Sequence, residues 1–354
     1  MIDAQIFAKR FLGYNIVDCV VRNRDFFYFL AREDYTMWLD WDGDDSLNPS
    51  DQALDKRVIT YMPSRPEGTQ WGHAILTGFD VCTADLSIFP KEQFVVASAS
   101  GQIYAIGSGE AGMEKRLLRS EQSLRGGVRR LRTIGDRLYV VGGNRTVGFR
   151  EGKDNWTWLT GDVTYDKKGY DHGFEGVDGF SYNDIYAVGG KGDVWHFDGA
   201  RWRAIDFPTN ERLKTVCCCA DGKVYISGYE GITFVGRGDQ WKRIEAPRLS
   251  LAFKDMLWHQ DRVWCTSDYG VWWIQDDKVV PADIPDSAKI CAGNLSARDG
   301  VLMLAGFNGA SILENGEWRT LFHTHDMEEQ CEELGIYESN LKARAHEFRD
   351  DEED

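Results

Sequence analysis

The chain has 354 residues, of which 42% are hydrophobic, 28% charged and 13% aromatic, with 13 Trp, 37 Gly and only 8 Pro. That is more than one ordinary core supports, so the sequence calls for two domains or for an array that adds core unit by unit. A net charge of −16 argues against nucleic acid or an anionic membrane as partner of the whole surface, and no run approaches the ~18 apolar residues of a membrane helix.

The opening MIDAQIFAKRFLGYNIVDCVV sets Asp3, Lys9, Arg10 and Asp18 among its apolar residues, unlike a secretory leader. The eight Cys, three of them consecutive (Cys217, Cys218, Cys219), read as reduced thiols, and a cytoplasmic location is expected. Residues 14–78 hold strand-like runs and a polar insertion near 40–60. Its LDWDGDDSLNPSD gathers Asp40, Asp42, Asp44, Asp45 and Asp51, but Gly43 falls fourth rather than sixth and Asp51 stands where a calcium loop has Glu. A solvated insertion without metal is expected. FVVASASGQIYAIG follows from Phe94, and then GSGEAG (Gly107, Gly109, Gly112), which lacks the helix and downstream acid of a dinucleotide site and reads as a turn. No other motif calls for a cofactor.

A basic stretch comes next, with Arg125, Arg129, Arg130 and Arg132 at its centre. It has two readings: salt bridges to the acidic tail or to neighbouring blades, or contact with an acidic partner segment or phosphate. RLYVVGGNRTVGFREGKDNWTWL begins at Arg137. Four clearer copies follow from Asp184, Lys223, Arg262 and Val301, each reading strand, four-residue turn, strand, turn, strand. Their turns, GGKG, GYEG, SDYG and GFNG, end at Gly192, Gly231, Gly270 and Gly309, 39 residues apart. With an apolar run upstream, each unit makes four short strands, the pattern of a propeller blade. The expected fold is all-β: seven four-stranded antiparallel blades over residues 1–324, with residues 1–13 as a possible ring-closing outer strand. Residues 325–354 hold 12 acidic against 3 basic side chains. There Met327, Cys331, Leu334 and Tyr337 are spaced as one helical face, so an acidic helical tail is expected.

Motifs such as DIYAVGGKGDVWHFDGARW resemble the repeats of bacterial WD40- or YVTN-like seven-bladed propellers. The chain also resembles stand-alone propeller immunity proteins of bacterial toxin systems. That resemblance implies a non-enzymatic protein that holds a toxin domain and occludes it. The acidity suits a basic target such as a nuclease. A related assembly scaffold belongs to the same class; the alternative is an enzyme or small-molecule binder working in the central channel.

In such a fold the turns between second and third strands share one face with the connections between blades. On that face the turns would present Tyr229, Glu230, Asp268, Tyr269, Phe307, Asn308, Lys191 and Arg145, and the connections Arg212 and Arg248. Tyr, Phe and Arg are the residue types enriched at interface hot spots, so this face is the expected partner surface. The opposite face would carry acidic hairpin turns, among them Asp136, Asp184, Asp221, Asp261 and Asp299, where Asp also serves left-handed turn positions.

Overall fold

A computed structural model describes residues 2–35, 49–165, 173–246 and 249–336. It contains seven four-stranded antiparallel sheets, each pairing its strands in chain order. With the strands of each blade lettered A to D from the axis outward, the blades span 14–76, 82–114, 128–158, 174–205, 213–243, 255–281 and 294–323. The molecule is a seven-bladed β-propeller. No helix of the described residues is long and apolar enough to cross a membrane.

The recurrent turn glycines have a local cause. Gly192 and Gly231 take left-handed conformations (φ 67° and 65°), which cost any residue with a Cβ. A Cβ would also collide with the carbonyl oxygens of Thr209 and Leu249, in the connections leading out of the same blades. The interval of 39 residues is therefore the length of a blade, read at the one turn position that tolerates only glycine.

Period-two alternation builds the core. Strand B of blade 2 (Gln93–Ser98) sends Phe94 and Val96 towards blade 1 and Val95 and Ala97 towards blade 3. Strand B of blade 4 (Asp184–Gly189) likewise divides Ile185 and Ala187 from Tyr186 and Val188. One apolar cluster fills each of the seven junctions, so every blade is held by two neighbours. Each fully buried Leu, Ile, Val or Phe in them contributes about 1.5–3 kcal/mol.

Closure differs from the expected shared strand. Blade 7 completes all four strands from its own residues 294–323. The N-terminal segment forms helix α1 (Ala4–Arg10) instead, because Asp3 caps it by accepting from the Ile6 amide at 2.8 Å. Phe7 and Phe11, one turn apart, then enter the seam between blades 7 and 1. Phe11 lies 4.6 Å from Phe322, 5.7 Å from Phe29 and 5.6 Å from Trp71, centroid to centroid. After a single turn of helix, α2 (Asp286–Lys289), between blades 6 and 7, the chain ends its described part in α3 (Thr324–Glu333). This helix buries Met327 and Cys331 against α1. Gly335, at φ 65°, ends α3 rather than weakening its interior, and leaves Leu334 exposed. Tyr337 lies outside the described residues.

The insertion of blade 1 separates its strands B (Phe26–Glu33) and C (Lys56–Tyr61). Asp40, Asp42, Asp44 and Asp45 lie outside the described residues, while Asp51 pairs with Arg32 at 2.6 Å. GSGEAG is the hairpin between strands C and D of blade 2.

Candidate docking face

The four-residue turns join strands B and C, and so share a face of the disc with the D-to-A connections between blades. Tyr269 is 83% exposed, Phe307 43% and Tyr229 42%, which leaves all three tips open to a partner. Glu230 is exposed in the left-handed region (φ 55°). The Thr324 amide and hydroxyl donate to the Asn308 and Phe307 carbonyls, at 3.0 and 2.8 Å, and hold that turn against the start of α3. Asp268 accepts from Lys254 Nζ at 2.7 Å. Lys191 is exposed, and its backbone bridges to that of Arg212. Arg145 is more constrained. Its guanidinium forks onto Asp193 at 2.7 and 2.9 Å and stacks 5.1 Å from Trp195, so it braces its own turn. Arg212 is exposed, 5.6 Å from the Tyr229 ring. Arg248 lies outside the described residues.

Twelve large apolar side chains are more than a third exposed among the described residues, and they are unevenly placed. Val81, Leu118, Tyr229, Leu251, Tyr269, Ile290 and Phe307 belong to this face's turns and connections, whereas Phe89 and Tyr182 alone sit in turns of the other. The opposite face carries the expected carboxylates, but several are paired: Asp184 with Arg237 and His196, Asp239 with Arg203, and Asp277 with Lys242. Asp261 and Asp299 occupy left-handed turn positions.

The four arginines of the basic stretch do not form one patch. Arg125 clamps a connection, donating to the carbonyls of Glu121, Thr160 and Val163 at 2.6–2.7 Å. Arg129, Arg130 and Arg132 lie on strand A of blade 3 (Val128–Ile134), at the channel wall. Arg130 and Arg132, two residues apart, reach Asp255 of blade 6 at 2.8 Å and Asp178 of blade 4 at 3.5 Å. The salt-bridge reading holds for these two and for Arg129, which pairs with Glu175; the acids come from inner strands of blades 4 and 6.

Those acids belong to a pattern the sequence reading passed over. At five of the seven junctions, a strand-A side chain of one blade accepts a backbone N–H from strand A of the next. Asp18 accepts from Ala84 (2.9 Å), Asp85 from Thr133 (2.8 Å), Asp178 from Cys218 (2.8 Å) and Asp255 from Leu295 (3.2 Å). Ser296 does the same between blades 7 and 1, accepting from Val21 at 2.8 Å. The recurrence of Asp near the end of the first apolar run of a blade was the clue available. Burial raises the Asp18 carboxyl to about 6, against the pull of the Arg130 charge. Arg130 and Arg132 line both a cavity of about 330 Å³ on the acidic side and one of about 250 Å³ on the docking side, and so plug the channel between them.

This geometry has relatives. The chain is similar to immune protein Tsi7 of Pseudomonas aeruginosa. The two are 29% identical over 243 residues, 68% of this chain and 79% of that protein. No family model matches the chain. Among solved structures, YCF48 bound to a D1 peptide superposes with a TM-score of 0.55 at 13% identity, covering 88% of this chain and 93% of that one. A COPII outer coat vertex chain superposes at 0.58 and 11% identity, covering 88% and 85%. At such identities the structural likenesses establish the propeller fold alone.

Proposed function

We propose that this chain is a non-enzymatic, cytoplasmic immunity-type protein that neutralises a toxin domain by covering it with the face formed by the B–C turns and D–A connections. The observation that carries the proposal is the crowding of exposed apolar side chains onto that one face. Single exposed apolar residues need no explanation, but their bias to one face, with Tyr and Phe at the turn tips, does. The similarity to a protein named immune protein Tsi7 supports the toxin-directed role, and the eight free cysteines suit a reducing compartment. A basic toxin such as a nuclease suits the exposed carboxylates that ring this face, among them Asp206, Glu211, Glu230 and Asp286.

The test pairs the chain with candidate toxins, any encoded beside its gene first, following complex formation by size exclusion and survival of toxin-expressing cells. The combined change Tyr229→Ala, Tyr269→Ala and Phe307→Ala is expected to weaken capture at least about a hundredfold, since hot-spot truncations cost about 2 kcal/mol or more each. Folding should be unaffected, because all three tips are exposed. Tyr182→Ala, on the opposite face, should bind as wild type. Capture that survives the triple change and is lost on altering channel residues would transfer the function to the channel.

A further inference from the structure

The docking side of the channel runs against the charge of the chain. Arg129, Lys214 and Lys254 line the cavity of about 250 Å³, and Arg212 stands close enough to Arg129 to help hold that guanidinium below its usual range, after burial. Glu175 pairs with Arg129, and Asp268 with Lys254. Among the described residues no carboxylate pairs with Arg212 or Lys214. Behind them Arg130 and Arg132 are already met by Asp255 and Asp178. The mouth therefore holds two uncompensated cations in a protein of net charge −16.

These cations are also built into the aromatic rim. Arg212 stacks 5.6 Å from Tyr229, and Lys254 lies 5.1 Å from the Phe307 ring centroid. Further out, the same face exposes Asp206, Glu211, Glu230, Asp283 and Asp286. The pattern is a basic centre beside aromatic tips, on a face whose outer turns carry exposed groups of both signs, Lys115, Arg116 and Lys191 among them. Asp18, Glu175 and Asp255 line the same cavity, the latter two in ion pairs, so cations outnumber carboxylates there and low-dielectric walls strengthen their field. The cavity falls below the ~300 Å³ at which small-ligand pockets begin, so it fits a side chain better than a cofactor.

We propose that this mouth receives an Asp or Glu side chain projecting from the protein docked on the face, an inference that rests on the docking role above. Thr215 and Asn294, which line the same cavity, offer hydrogen bonds beside Lys214. The exposed carboxylates nearby disfavour a second carboxylate at their own positions, so the projection helps set the register of the partner.

Titration of the full chain with a labelled hexaglutamate peptide at low ionic strength tests this without any partner. Saturable binding is expected, weakened about tenfold by Lys214→Glu, less by Lys214→Gln, and progressively by salt. Absence of saturable binding, or wild-type affinity in Lys214→Glu, overturns the proposal. Inorganic phosphate, titrated separately, should bind much more weakly; equal affinity would make the mouth a phosphate site and overturn it too. Because the peptide readout needs no toxin, its failure refutes the mouth alone, whereas toxin capture surviving the triple aromatic change refutes the docking face.

Discussion

Asp18 accepts the amides of Cys19 and Ala84, at 3.0 and 2.9 Å, in a fully buried position beside Arg130. Its folded value of about 6 stands above the 3.8 of an unperturbed Asp. Between those pH values the folded state keeps a proton that the unfolded chain has released. The stability this group contributes is present below about pH 4 and is lost as pH rises to about 6. Asp18→Asn removes that dependence. In urea denaturation, its stability relative to wild type should rise by up to roughly 3 kcal/mol from pH 4 to pH 6, then stay level. A gap that does not move with pH would contradict the assignment. At this scale the sequence was only partly legible. Tyr229, Tyr269 and Phe307 stood out because nothing in a tight turn demands an aromatic. Arg130 and Arg132 could not be told from Arg125, because only the third dimension brings Asp255 and Asp178 from other blades to meet them.

The seven sheets and the two terminal helices differed in how far they could be read. Blades 4 to 7 were plain because glycine recurs at the same turn position, required by positive φ and a close carbonyl at Gly192, Gly231 and Gly309. Blade 1 was blurred by the insertion between its strands B and C. Helix α1 was mistaken for a strand, since seven residues give under two turns of periodicity and Phe-rich runs suit either state. Its packing shows what the segment does. Phe11 touches three aromatic rings from blades 1 and 7 and is 2% exposed. Phe11→Ala should therefore cost about 3–5 kcal/mol, seen as a lower urea midpoint with little change in the slope. A loss below about 1 kcal/mol would mean that the seam does not depend on the helix.

Across the whole ring, six junctions join blades that follow one another along the chain, and the seventh joins blade 7 to blade 1. Side chains, α1 with α3, and the amide of Val21 on Ser296 hold that last junction, in place of a strand ladder. Amide exchange should accordingly rise first in α1 and α3 under mild denaturant, ahead of the inner strands of blades 3 to 5. Simultaneous exchange of all seven blades would show the seam to be as strong as the rest. Net charge was the least informative bulk quantity. The value of −16 pointed to a basic target everywhere, while the channel mouth on this face gathers Arg129, Arg212, Lys214 and Lys254. Because every sheet is woven from one uninterrupted stretch, the gene behaves as a loop of interchangeable beads. Moving the start and stop by one bead would split no sheet, so circular permutants cut between blades should still assemble the ring and the same docking face.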